Sequence, residues 1–118
     1  MAVRELDSRP EAYAHFPDNG VYRWLELHGD TVYGHAAFAE RGDVLELHLS
    51  LHRWGAGVRR GLAGDLAWLK QEAGRLGKTR IMGIRANDEG EFDGRLFRFA
   101  RLFGFTEMHV FQTASLDV

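Results

Sequence analysis

The sequence predicts an α+β domain, a mixed and mostly antiparallel sheet with a central parallel strand pair, flanked by helices. Three observations carry this. Two apolar, β-branched and aromatic runs, Val21 to Leu27 and Thr31 to Ala39, are separated only by His28-Gly29-Asp30, which marks a hairpin. Val44 to His52 then alternates strictly, with Leu45, Leu47, Leu49 and Leu51 on one face and Glu46, His48, Ser50 and His52 on the other. From Val58 the apolar spacing becomes helical, and another strand-like run follows it at Thr79 to Arg85. A strand-helix-strand crossover of that length is right-handed and sets its two strands parallel.

The elements follow in order. A short strand is expected at Ala2 to Leu6, and then a helix start with Ser8 as N-cap, Pro10 in the first turn and Glu11 in the capping-box position. Pro17-Asp18-Asn19-Gly20 keeps that helix brief. After the hairpin, Arg41-Gly42-Asp43 turns the chain into the alternating strand. Val58, Leu62, Leu66, Leu69, Ala73 and Leu76 share one face of a helix that stops near Gly77. Phe92, Leu96, Phe99, Ala100 and Phe103 mark the inner face of a second helix ending at Gly104, and Phe105 to Thr113 reads as a closing strand.

With 118 residues and 45% hydrophobic content, the chain fits one domain spanning residues 1–118. It has no cysteine, which excludes disulfides, thiolate zinc sites and cysteine nucleophiles. The opening MAVRELDSRP lacks the character of a signal peptide, and no apolar run approaches the roughly 20 residues that span a bilayer. A soluble, cytoplasmic protein is expected. Fifteen basic and seventeen acidic residues give a formal charge of -2, which argues against a grip on nucleic acid through phosphates alone. Charge is nonetheless clustered: Arg53, Arg59 and Arg60 gather at a glycine turn, and Asp88, Glu89, Glu91 and Asp93 follow the second crossover strand.

That glycine turn is Trp54-Gly55-Ala56-Gly57-Val58-Arg59-Arg60-Gly61. A chain that leaves a strand and enters a helix through glycines exposes backbone N–H groups at the positive end of the helix dipole. Such a turn can hold a phosphate or pyrophosphate, with the three arginines adding charge. The same residues also read as a plain strand-to-helix connection.

At these residues the chain resembles the GNAT superfamily of N-acetyltransferases, over roughly residues 20 to 113. The family loop runs Arg or Gln, two residues, Gly, one residue, then Gly or Ala. With its central glycine on Gly57, Trp54 stands where Arg or Gln is usual and Arg59 where Gly or Ala is usual. Asn87 follows a strand, as the equivalent asparagine does in many relatives, and Leu102-Phe103-Gly104-Phe105 is similar to their Leu-Gly-Phe ending. The tyrosine that often serves as general acid has Ala100 in its place. The eroded loop with a Glu-x-His on the central strand looks most like small GNAT-like proteins of tailed bacteriophages.

The resemblance implies acetyl-CoA as co-substrate, held by Leu49, Leu51, Arg53, Trp54, Gly55, Ala56, Gly57, Val58, Arg59, Arg60 and Asn87. In the family, oxyanion and pantetheine contacts come largely from backbone amides of the strand before the loop, here the Leu49 to His52 stretch. Acetyl transfer to an amine also needs a base for the attacking ammonium. Glu46 and His48 share the polar face of that strand and are the candidate bases, a histidine being the side chain whose ordinary pKa, roughly 6.5, lies nearest working pH. Alternatively, they form a solvated or hydrogen-bonded pair on an open sheet face.

His48, His52 and Glu46 at alternate positions also suggest a metal site, but nothing in the sequence supplies a further ligand. His28 and His35 flank the hairpin and are expected as turn and surface residues. Trp24, Trp54 and Trp68 are expected in packing, with Trp54 also placed to cover an adenine or wall a pantetheine groove.

The expected function is N-acetyl transfer from acetyl-CoA to an amine by direct attack. If the acidic stretch borders the cleft, the acceptor is cationic: a lysine, a polyamine or an amino-modified nucleotide. The alternative is a GNAT-like domain without catalysis, working as a phage structural or host-inhibitory protein. Edge pairing of the closing strand makes a homodimer an option.

Overall fold

The computed structural model describes residues 3–29, 31–53, 55–84, 94–107 and 114–118, with the backbone alone for 94–97. Five strands, β1 (Val3–Leu6), β2 (Tyr22–His28), β3 (Val32–Arg41), β4 (Val44–Leu51) and β5 (Arg80–Gly83), form one sheet in the order β1-β2-β3-β4-β5. Pairing is antiparallel from β1 to β4 and parallel between β4 and β5. Helix α1 (Ala56–Arg75) makes the crossover between the parallel pair, and α2 (Gly94–Leu102) follows β5. This is the mixed α+β fold that the alternation and the hairpin predict. The chain divides into two compact units, residues 1–85 and 86–118, and α2 belongs to the second.

The first unit is built on the sheet's two faces. Leu45, Leu47, Phe38, Ala36, Leu25 and Leu27 are buried, and the α1 residues Leu62, Leu66 and Leu69 line a small cavity with Leu25, Leu27, Ala36, Leu47 and Leu49. Each large aliphatic side chain so buried stabilises the fold by about 1.5–3 kcal/mol. Asp65 lies in the same buried stripe, 5% exposed. At the far end of the helix Arg23 bridges Glu5 and Glu72, its guanidinium 4.5 Å from the Phe38 ring centroid.

The other face is covered by residues that precede β2. Tyr13, Trp24 and Ala37 form a buried cluster with Leu6, Ala12, Phe16 and Tyr22 packed around it. Here the expectation of a helix capped by Ser8 is wrong. Glu11–Tyr13 form only a 3₁₀ turn, entered through Pro10 with no side-chain cap. Too few residues separate Pro10 from Pro17 to pay for helix nucleation, whereas docking Tyr13 and Phe16 onto Trp24 buries aromatic area at once.

In the second unit α2 ends at Leu102 and the chain turns at Gly104, with φ 90°, and the Phe99 and Phe103 rings sit 5.0 Å apart. Residues 105–107 are not a strand, and the rest of the expected closing strand lies outside the described residues. Among the described residues no helix is long and apolar enough to cross a membrane.

Candidate functional site

β4 offers two faces and an edge. On the face away from α1, Glu46 and His48 meet. The Glu46 carboxylate accepts a hydrogen bond from His48 Nε2 at 2.9 Å and another from the Tyr22 hydroxyl at 3.1 Å, both on Oε2. Arg41 Nε lies 3.5 Å from Oε1. Burial pushes the Glu46 carboxyl up, but the hydrogen bonds from His48 and Tyr22 and the neighbouring positive charge outweigh it and hold the group below its ordinary range. The Phe16 ring stands edge-on to His48 at 4.9 Å. Below them the Tyr13 hydroxyl lies 3.1 Å from the backbone carbonyls of both His35 and His48, joining β3 to β4.

The edge matters as much as the face. Pairing with β5 runs from Val44↔Arg80 to Leu47↔Gly83 and closes with Ile84 N–H donating to the Leu47 carbonyl at 2.9 Å. Leu49 and Leu51 turn the same backbone edge outward, since the other edge is bonded to β3 as far as His52 N–H on the Tyr33 carbonyl at 2.8 Å. Among the described residues no strand covers that stretch. Polar backbone groups of Leu49 and Leu51 thus face this edge where β4 extends past the described residues of its parallel partner.

The chain then passes through exposed His52 and Arg53 to Gly55, which caps α1 without a side-chain hydrogen bond. Arg59 N–H donates to the Gly55 carbonyl at 2.9 Å and opens the helical ladder. The amides of Ala56, Gly57 and Val58 therefore have no intrahelical acceptor, and the first turn holds no acid. A Cβ at Gly57 would meet no atom of the described residues within 4 Å. Arg53, Arg59 and Arg60 are exposed and make no ion pair with a described residue. Amides without an intrahelical acceptor, the positive end of a helix dipole and three exposed guanidinium groups are what an anion would meet.

Of the residues expected at the site, Glu46 with His48 and the Leu49 to Arg60 segment are thus placed in sequence along one strand end and helix start. Trp54, Asn87 and the acids at 88, 89, 91 and 93 lie outside the described residues. Tyr22 was missed: its hydroxyl reaches Glu46 over the small side chain of Ala39, the residue between them in register. The signal was available, because Tyr22 stands two strands from Glu46 on the same alternation.

The expectation for His28 and His35 is corrected. Both lie on β2 and β3 and share the polar face with Glu26, whose carboxylate is 2.6 Å from His28 Nε2 and 3.8 Å from His35 Nε2. His35 Nδ1 is 2.8 Å from His52 Nε2. Burial, and then the proximity of His52, push the His35 imidazole below its ordinary value despite Glu26. His52 thus pairs with His35 and His48 with Glu46, and among the described residues no three His, Asp or Glu side chains converge as a metal site would require.

No family model and no curated protein matches the chain in sequence. Solved structures match its fold. AAC(6')-Iy, in complex with the bisubstrate analogue CoA-S-monomethyl-acetylneamine, superposes with a TM-score of 0.63 at 11% identity, over 98% of this chain and 97% of that one. The aminoglycoside acetyltransferase meta-AAC0020 from an uncultured soil metagenomic sample gives 0.56 at 15% identity, over 93% and 77%. A transcriptional regulator from Bacillus halodurans C-125 gives 0.57 at 13% identity, over 89% and 73%. The architecture is therefore the GNAT-like α+β fold, which these three structures share.

Proposed function

We propose that this chain is an N-acetyltransferase that moves an acetyl group from acetyl-CoA to an amine by direct attack. The observation that carries the reading is the uncapped glycine turn of α1 lying directly after the outward edge of β4. The turn suits a pyrophosphate, and the Leu49 and Leu51 amides suit the pantetheine and the thioester oxygen. The amine nitrogen attacks the thioester carbon, its proton passes to the Glu46 and His48 pair, and collapse of the tetrahedral intermediate expels the CoA thiolate. Leu49, Leu51, Arg53, Trp54, Gly55, Ala56, Gly57, Val58, Arg59, Arg60 and Asn87 are the proposed co-substrate contacts.

The acids at 88, 89, 91 and 93 favour a cationic acceptor by sign of charge. A cytoplasmic setting and a homodimer complete the proposal. A second reading, a GNAT-like binding or assembly protein of a bacteriophage, draws on Trp54 and Arg59 in the loop and Ala100 on α2, and on the sharing of this fold by a transcriptional regulator.

Calorimetric titration with acetyl-CoA and with CoA, on the native chain and on Gly57→Glu, separates the two. Micromolar binding that the variant loses supports the co-substrate site. Absence of binding at millimolar concentration overturns acetyl transfer and favours the binding-protein reading.

A further inference from the structure

We infer that Tyr22 and Glu46 are positioning residues that fix His48 as its Nε2–H tautomer, which makes Nδ1 the proton acceptor of the site; the catalytic consequence rests on the acetyl-transfer reading above. The assignment follows from donors and acceptors. An ionised carboxylate can only accept, so a His48 Nε2 at 2.9 Å from Glu46 Oε2 must carry the hydrogen. In neutral imidazole the other nitrogen then holds the lone pair.

Glu46 is badly placed to take the proton itself. Its Oε2 already accepts from two donors, Tyr22 and His48, and its Oε1 faces Arg41. The surroundings favour the ionised form, as the lowered pKa of this carboxyl also indicates.

The sheet is patterned to hold the arrangement. Two rows cross it on this face, Tyr22↔Ala39↔Glu46 and Trp24↔Ala37↔His48. In each an alanine separates an aromatic ring on β2 from a proton-handling group on β4. The small methyl of Ala39 leaves room for the Tyr22 phenol to span β3, which a larger side chain would fill. Phe16 stands edge-on to both Tyr22 and His48. Tyr13, also titratable, lies on the backbone carbonyl of His48.

Nitrogen-15 NMR of the full chain with labelled histidine reads the tautomer directly, with or without any substrate. In its neutral form His48 is expected to show a protonated Nε2 and a pyridine-like Nδ1. Tyr22→Phe and Glu46→Ala are expected to shift the neutral ring towards a mixed population while the amide spectrum stays dispersed. A neutral ring protonated on Nδ1 in the native chain, or folded variants with an unchanged His48 signature, overturns the inference.

In acetyl transfer Tyr22→Phe should lower kcat about two- to tenfold, the worth of one hydrogen bond, with acetyl-CoA affinity unchanged. Loss confined to KM would overturn the positioning role. If acetyl-CoA does not bind at all, the functional reading fails, and the NMR result still decides the tautomer.

Discussion

The Tyr33 hydroxyl donates to the Asp65 carboxylate, which ties the sheet to α1 inside an otherwise apolar interface. Burial raises the Asp65 carboxyl above the ordinary value of 3.8, although the Tyr33 hydrogen bond opposes the shift. The sign for stability follows from linkage: the folded chain binds this proton more tightly than the unfolded one. The contribution is complete below the unfolded pKa and is lost as pH rises through the elevated folded value. Asp65→Asn keeps an acceptor for Tyr33 and has no such loss. Its urea midpoint relative to the native chain should therefore improve from acid to neutral pH, and a difference that does not change with pH would refute the raised carboxyl.

Tyr33→Phe tests the same contact from the other side. It leaves a buried acceptor unpaired and should cost about 1–3 kcal/mol, more as pH rises, because the Tyr33 hydrogen bond favours the ionised carboxylate. Equilibrium denaturation of the single variant and of the Tyr33→Phe/Asp65→Asn pair should show less than additive losses.

Two glycines separate packing from openness. A Cβ at Gly34 would lie 2.6 Å from the Ser50 carbonyl oxygen and 3.0 Å from Leu51 Cδ2, across the β3–β4 pairing. Backbone cannot yield as a flexible side chain can, so Gly34→Ala should destabilise by about 1–3 kcal/mol. Gly57→Ala meets nothing and should be neutral or slightly stabilising. Thermal melts of the two variants check the contrast; equal losses would mean that Gly57 is packed rather than open.

The proposed proton-handling pair, Glu46 and His48, makes a third claim. The Glu46→Gln/His48→Gln double variant should lower kcat by about 10²–10⁴ while acetyl-CoA affinity is retained, since neither side chain lies on the glycine turn. Single-turnover kinetics beside calorimetry would show it. Unchanged turnover would remove both residues from the mechanism.

The sheet was legible because its signals are local. Strict alternation in β4 places Leu45 and Leu47 inside, and the change of period at Val58 announces α1 close to its observed start at Ala56. What the sequence hid depended on partners far along the chain. Ser8 and Glu11 satisfy a capping pattern, yet the outcome was decided by the aromatic surface of Trp24 and Tyr22, on which Phe16 docks. Nearness to the hairpin marks His35 as a surface residue, but its position in β3 directs it to Glu26 and His52. Asp65 sits on the apolar face of α1 between Leu62 and Leu69, and a polar residue within such a stripe was a signal of a buried partner that the periodicity alone did not name.

The arginines at the turn give the remaining prediction. Arg53, Arg59 and Arg60 are exposed, so each alone should matter little: surface ionic contacts are worth about 0.2–1 kcal/mol and are screened by salt. Together they add positive charge to a turn whose amides already favour an anion, so Arg53→Ala/Arg59→Ala/Arg60→Ala should weaken acetyl-CoA binding about tenfold at low salt, by the sum of three such contacts. The native affinity should fall with added salt, and the triple variant should lose most of that dependence. A CoA analogue lacking the phosphates should bind both proteins alike. If the variant instead kept the native salt slope, the phosphates would be held elsewhere, and the start of α1 would be an ordinary connection between strand and helix.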